Sequence, residues 1–394
     1  MSTDLDFRDC RPPQGDAVAG PRLRFDFPSE AVGGGALEFA NPFEIAVARV
    51  PSDVRDVLAR AEALAREGSW VAGFVCYEAG AAFDRAFRFR GESSLPLAWF
   101  AAFNSPVEPS LVNEGPPGSG GFGAWGASIE RSGYDEQIDR ILASIRAGDL
   151  YQVNHTIRLA SRFDGDGRAI YHRVRARQPD GYCACLDLGR HKILSLSPEL
   201  FFRRDGSLLT SKPMKGTLAR QGSPVEDEVR ARQLRECPKN RAENLMIVDL
   251  LRNDLSRVAA PHTVRVPELF AVEIHPTVLQ MTSTVTAALR PEAGLPEIFA
   301  ALFPCGSITG APKVKAMELI AKLESAPRGI YCGAIGLLKP GGDAIFNVAI
   351  RTLLLDTLTG QAEYGVGGGI TIESAAKDEY EEILTKSRIL QATM

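Results

Sequence analysis

No C-x-x-C pair, no basic block, no internal repeat and no apolar run of membrane-spanning length occurs in the 394 residues. Each absence removes a class of protein. The seven cysteines (Cys10, Cys76, Cys183, Cys185, Cys237, Cys305 and Cys332) are odd in number and scattered, so neither a disulfide framework nor a zinc site is indicated, and reduced thiols in a cytoplasm are expected. Cys183 and Cys185 stand two apart in an alternating segment, which puts them on one strand face as small packing residues. The formal charge of −4 comes from 45 basic and 49 acidic residues spread along the chain, with nothing to track a phosphate backbone; nucleic acid is not an expected partner. The opening residues, MSTDLDFRDCRPPQGD, are polar and acidic where a secretory leader is basic and then apolar, so neither a leader nor a membrane is expected. Neither G-x-G-x-x-G in a βαβ unit nor G-x-x-x-x-G-K-[ST] is present, which sets dinucleotide and P-loop chemistry aside.

What is present is ample core material, 45% hydrophobic against 24% charged residues. Residues 1–22 have the Pro, Gly and charge mixture of a loose tail, and order is expected from about Leu23. Ser52 is a candidate N-cap for a helix that stops at Gly68, and WVAGFVCYEAG (70–80) and LAWFAAF (97–103) read as buried strands. The Pro/Gly/Ser-rich stretch 107–124 looks like a boundary, but strand-like runs on both sides can close one shared sheet system, so an exposed connection is preferred to two domains. Beyond it, helices over 132–147, 237–257, 312–323 and 376–392 alternate with strands such as KILSLSPELFFRR and AIFNVAIRTLLLD. Tight Gly turns, as in LLKPGGDAIF, favour antiparallel hairpins over a parallel βαβ array.

Several constellations could carry chemistry. In helix 237–257, Leu245, Val248, Leu251 and Leu255 mark the apolar face, and Glu243 belongs either to a solvated face or to a site. Glu379 and Glu382, three apart, project from one side of the last helix; carboxylates from two helices suit Mg²⁺, although Glu pairs at that spacing are common on solvated faces. The glycines of YGVGGGIT either form a tight turn or let backbone N–H groups approach an anion, and FPCGSITGAPK leads into a helix whose first turn Pro312 can occupy. Lys215, in SKPMKGT, reads by default as a solvated surface charge; in a strand-end pocket it could instead be a nucleophile, with Glu199 on a neighbouring strand to move its proton.

Taken in order, YQVNHT, SPELFFR, KPMKGT, RAENLMIVDLLRNDLSRV, FPCGSITGAPK, RGIYCGAIG, FNVAIRT and GGGIT…EYEEILTKS resemble the chorismate-utilising enzymes, and within them the component I subunits that aminate chorismate at C4. The likeness covers most of 150–394; 23–124 matches less clearly, and 125–394 would be the catalytic core of one domain spanning 23–394. The resemblance implies an α+β fold, a single large domain of packed antiparallel β-sheets with outer helices. It implies Mg²⁺ held by Glu243 and Glu382, with Glu379 nearby, against the ring carboxylate of chorismate, which Lys386 supports. It places the second substrate carboxylate against Arg351, Tyr331 and the backbone of Gly367 and Gly369. Ser307, Thr309, Gly216, Thr217 and Gln280 would line the same cleft.

Two positions choose within the family. Anthranilate synthases and isochorismate or salicylate enzymes have alanine where this chain has Lys215, and the water-adding members have lysine where it has Gln152. The resemblance therefore implies that Lys215 adds to C2 as the C4 hydroxyl leaves, with Glu199 as proton donor, and that ammonia then displaces Lys215 by adding at C4. The product, 4-amino-4-deoxychorismate, would feed 4-aminobenzoate and folate biosynthesis. Ammonia would come from glutamine through a separate glutamine amidotransferase subunit, since no amidotransferase nucleophile motif is apparent. The chain departs from many members in VLQMTS, where Gln280 replaces a histidine; glutamine can donate a hydrogen bond to a leaving oxygen but cannot carry its proton. His275 is a substitute of lower rank.

Overall fold

The computed structural model describes residues 20–109, 120–176, 178–220, 222–275 and 278–393. Most of the expected tail, and residues 110–119 of the Pro/Gly-rich connection, lie outside the described residues.

Among the described residues two antiparallel sheets, of nine and ten strands, carry the fold. The first has Gln152–Arg162 and Gln361–Ile370 side by side, followed by Thr352–Asp356, His191–Ser197, Tyr182–Asp187, Arg22–Asp26 and Leu37–Ala40. The second runs from Met214–Ala219 and Val278–Ala288 through Leu208–Lys212, Leu200–Asp205, Ala344–Val348 and Ala334–Leu338 to Trp70–Val75, Ala98–Phe103 and Glu44–Ala48. Alternation gives each sheet an apolar inner face. Phe25, Leu186 and Ile193 of the first meet Phe74, Leu337 and Ile345 of the second in a dry interface. The outer faces are covered by helices: Arg131–Arg146, Lys313–Leu323 and Ala376–Ser387 on the first sheet, and Val54–Arg66, Pro238–Ser256 and Leu295–Leu302 on the second. This is the expected α+β arrangement. Arg22–Asp26 pairs with Tyr182–Asp187 and Trp70–Val75 with Ala334–Leu338, so segments on both sides of the Pro/Gly-rich connection share both sheets. No helix among the described residues is long and apolar enough to cross a membrane.

The differences from the sequence reading are local, and two of them matter. KILSLSPELFFRR and AIFNVAIRTLLLD, each expected as one strand, both break and change sheets. Pro198 has no N–H to donate to a ladder, so His191–Ser197 stays in the first sheet and Leu200–Asp205 enters the second, with Glu199 at the crossover. Ala344–Val348 and Thr352–Asp356 separate likewise at Arg351, whose φ of +51° turns the chain. The two crossovers are tied together: the Val348 N–H donates to the Glu199 carbonyl at 3.0 Å, and the Ser197 hydroxyl to the Val348 carbonyl at 2.6 Å. A sheet corner of this kind holds Glu199 at the end of a rigid layer.

Elsewhere Ser52 caps no helix; it lies in the short 3-10 turn Pro51–Asp53 and donates to Asp53. Leu245 is 43% exposed, because Asn244 and Ile247 take the inward positions one turn before Val248, Leu251 and Leu255. The last helix ends at Ser387, and Arg388–Thr393 continues as 3-10. Cys183 and Cys185 are buried on one strand face, unpaired, with thiols that burial pushes up to about 12.

Candidate active site

The strands Gln152–Arg162 and Gln361–Ile370 lie in register through the whole glycine run, with Gly367, Gly368 and Gly369 opposite Thr156, His155 and Asn154. The run is thus strand interior, and the tight-turn alternative is excluded. Its glycines are needed for close approach: a Cβ at Gly367 would strike the His155 carbonyl and stand 2.7 Å from the Thr156 Cα.

Two sets of side chains converge on neighbouring residues of this run. A Cβ at Gly368 would stand 3.3 Å from Glu379 Oε2, 3.6 Å from Lys386 Nζ and 3.7 Å from Glu382 Oε1. One at Gly369 would strike the Gln152 amide nitrogen and stand 3.2 Å from Lys215 Nζ. The last helix contributes the first set because Glu379, Glu382 and Lys386 share a face at spacings of three and four. Lys386 donates to Glu382 at 2.7 Å and to the Gly367 carbonyl at 2.8 Å. Helix Pro238–Ser256 adds Glu243, which interacts electrostatically with Lys215, Lys239, Glu382 and Lys386.

These carboxylates differ in charge balance. Burial raises Glu243 and Glu379 above the usual range, against the pull of Lys215 and Lys239 on the one and the Ser374 hydroxyl on the other. Burial acts on Glu382 too, but Lys386 outweighs it and the carboxyl is lowered. Among the described residues no three His, Cys, Asp or Glu side chains gather closely enough to hold a metal by themselves. The oxygen-only donors and partly uncompensated burial fit Mg²⁺, which takes one or two carboxylates and completes its shell with water and substrate oxygens.

Lys215 is half-buried in Met214–Ala219 and among the described residues makes no hydrogen bond or ion pair. It is placed by Pro213, which interrupts the strand, and by a register shift between Met214 and Thr217, where Gly216 has a φ of +78°. Glu199, 3% exposed, faces it from the sheet corner. Burial lifts the Glu199 carboxyl to about 7, with the Ser307 hydroxyl and the Lys215 charge pulling it back, and its Oε1 has no hydrogen-bond partner. Gln152, 1% exposed, likewise has an unpartnered amide oxygen. A buried acid able to hold its proton near neutrality beside an unpaired amine is equipped for proton transfer coupled to nucleophilic attack.

Other expected residues are placed differently. Ser307 lies in the 3-10 turn Gly306–Ile308, and Thr309 accepts from the Asn154 N–H at 2.8 Å; Pro312 is the residue before helix Lys313–Leu323 and not in its first turn. Arg351 turns to Gln178, donating to its Oε1 at 2.7 Å, and makes no ion pair among the described residues. Arg351 and Tyr331 are not hydrogen-bonded to each other; Tyr364 interacts with each. Gln280 donates to the Gly216 carbonyl at 2.7 Å and pairs with the Thr217 hydroxyl at 2.6 Å, leaving one N–H for any other partner. His275 sits between Glu273 and Asp180, and these carboxylates raise it. That ion cluster accounts for His275 without a role beside Lys215. Two residues escaped the sequence reading. Lys239 lies one turn before Glu243 and interacts with Glu243, Glu379 and Glu382, a relation its i,i+4 spacing could have revealed. Asn244 is fully buried, accepts from the Ser283 hydroxyl at 2.6 Å and leaves its amide nitrogen unpartnered; nothing in the sequence distinguishes it.

The sequence pattern of chorismate binding enzymes matches residues 37–392. The chain belongs to the chorismate binding enzyme family. Within this family it is 41% identical over 296 residues to aminodeoxychorismate synthase component 1 of Klebsiella aerogenes, covering 75% of this chain and 63% of that protein. It is 42% identical over 268 residues to the protein of the same name from Escherichia coli K12, covering 68% and 59%. The chain thus spans about three-fifths of the length of these curated relatives. Among solved structures of chorismate binding enzymes, anthranilate synthase component I from Streptococcus pneumoniae TIGR4 superposes with a TM-score of 0.76 at 22% identity, covering 99% of this chain and 97% of that one. The menaquinone-specific isochorismate synthase MenF of Escherichia coli gives 0.75 at 18% identity, covering 96% and 91%. At these identities the structures attest the fold alone.

Proposed function

We propose that this chorismate binding enzyme aminates chorismate at C4 to give 4-amino-4-deoxychorismate, as component I of an aminodeoxychorismate synthase. The observation that carries the reading is the pairing of unpaired Lys215 with buried Glu199 at one edge of the glycine floor, next to the carboxylates that would face the substrate ring carboxylate.

In the first step Lys215 passes its proton to Glu199 and the free amine forms a bond to C2, both ring double bonds shift one place along the conjugated diene, and the C4–oxygen bond breaks. The hydroxyl leaves as water with the Glu199 proton, which a carboxyl at about 7 still holds near neutrality. In the second step ammonia bonds to C4, both double bonds return to their first positions, the C2–nitrogen bond breaks, and Lys215 departs as an amine. The excess proton of the new C4 ammonium restores Glu199. Two displacements across the conjugated diene thus restore it and leave the enzyme unchanged. Gln152 has no proton-accepting amine to activate water, which favours ammonia as the incoming group. Glu243 and Glu382, with Glu379 beside them, would hold Mg²⁺, which supplies positive charge for the ring carboxylate. Lys386 adds a second cation there, and the Arg351 guanidinium, which has a hydrogen bond to Gln178 but no ion pair among the described residues, would take the enolpyruvyl carboxylate.

Ammonia would be delivered from glutamine by a partner amidotransferase subunit, in keeping with the component 1 names of the similar proteins. The product would go on to 4-aminobenzoate and folate, with the enzyme in the cytoplasm. The deciding experiment supplies purified protein with chorismate, Mg²⁺ and an ammonium salt and separates the products. Aminodeoxychorismate is expected; anthranilate as the main product would replace this reading by the anthranilate synthase one.

A further inference from the structure

Among the described buried charges outside the groups assigned above, Glu78, Arg158, Glu324 and Arg328 form one cluster. Glu324 and Arg328 pair at 2.6 Å, with exposures of only 4% and 2%. Burying an ion pair seldom stabilises a fold on balance, so its partners indicate what it is for.

Arg328 uses its guanidinium as a fork. Nη1 donates to the Ile308 carbonyl at 2.6 Å, Nη2 to the Asn154 carbonyl at 2.7 Å, and Nε to Glu324 at 3.0 Å. Glu324 in turn accepts from the Thr156 N–H at 3.1 Å and its hydroxyl at 2.7 Å. The segment is anchored by Glu78, which accepts from the backbone N–H groups of Arg328 and Gly329 at 2.8 and 3.0 Å. One side chain therefore joins the 3-10 turn Gly306–Ile308 to the strand Gln152–Arg162. Ile308 follows Ser307, and the Ser307 hydroxyl is the neutral group that acts on Glu199. We propose that Arg328 is a positioning residue: by holding the Ile308 carbonyl it keeps Ser307 against Glu199 and so controls the acid of the cleft.

Arg328 does not act on Glu199 through its own charge. Glu199 is met by the hydrogen bond of the Ser307 hydroxyl and by the charge of Lys215, and the neutral Cys305 thiol lies beside the same turn. A lysine at 328 would keep the charge and lose the fork. The inference rests on Glu199 being the acid, so its test includes a readout that needs no turnover. In infrared pH titrations, the Glu199 carboxyl is identified as the band that Glu199→Gln removes. Ser307→Ala and Arg328→Lys are each expected to move that titration upward by about half to one pH unit, the worth of one hydrogen bond, and the double variant no further than Ser307→Ala. With chorismate and ammonium, Arg328→Lys should lower kcat while KM changes less than about threefold, and the alkaline limb of the kcat profile should move with the infrared titration. An unmoved Glu199 titration in Arg328→Lys, or a double variant that adds the two shifts, overturns the proposal. Should Arg328→Lys fail to fold, Glu324→Gln, which weakens the grip on the fork at nearly the same shape, carries the same expectation. Absence of amination by the wild-type protein would refute the proposed reaction, while the infrared result still decides whether Arg328 positions Ser307.

Discussion

Lys386 lies within hydrogen-bonding reach of both Glu382 Oε1 and the Gly367 carbonyl, so one ammonium joins the last helix to the glycine strand. Glu382 is the lowered carboxyl of its cluster because of that ammonium. Replacing Lys386 by Met should therefore weaken substrate binding more than turnover. We expect KM for chorismate to rise about tenfold or more, the worth of one charge-assisted contact, with kcat less affected. A KM within twofold of wild type would remove Lys386 from the substrate site.

Glu199 has its carboxyl raised from the ordinary range to about 7, chiefly by burial. As a proton donor it is competent below that pH and loses its proton above it. With free ammonia held constant, the loss of this acid should make kcat fall toward tenfold per unit above about 7. Glu199→Gln should abolish this limb and cost roughly 100-fold or more in kcat. A profile in Glu199→Gln that retains the limb would assign it to another group.

Lys215 is expected to form a covalent adduct at C2. Intact mass spectrometry of protein quenched during turnover without ammonia should show added mass in the wild type and none in Lys215→Ala. Adduct on the alanine variant would place the nucleophile elsewhere.

Chelation of divalent ions should abolish activity and Mg²⁺ should restore it, with Glu243→Gln and Glu382→Gln each requiring more Mg²⁺ for half-maximal rate. Unchanged activity after exhaustive chelation would sink the metal assignment.

Gly367 faces the backbone of the neighbouring strand so closely that a methyl group has no room. Gly367→Ala should cost roughly 1–3 kcal/mol of stability, read as a lowered midpoint in denaturant. A variant as stable as wild type would mean that the ladder yields more readily than the geometry indicates.

Periodicity and turn residues were enough to read the antiparallel sheets, the outer helices and their approximate ends, because those features depend on neighbours along the chain. The sheet corners were not readable that way. An apolar run such as FNVAIRTLLLD carries the same alternation whether or not it changes sheets, and only the positive φ at Arg351 marks the turn. For the same reason spacing placed Glu379 and Glu382 on one helix face but could not tell that Lys386 outweighs burial at Glu382 and not at Glu379. The conjunction of Lys215 with Glu199 came from ordered motifs, since neither side chain has a local signature. Asn244 shows the limit: a polar residue on an inward helix face looks like a break in the pattern until its partners are seen.

The ladder between Gln152–Arg162 and Gln361–Ile370 joins parts of the chain far apart in sequence. Closing such a loop costs entropy before any contact is gained, so this pairing is expected among the slower events of folding. The glycine floor does not exist without it, and a fragment lacking either strand has no reduced version of the cleft. A ligand of the cleft would then bind only molecules in which this distant pairing is complete and would favour them by mass action, so that it would act on folding as well as on the site.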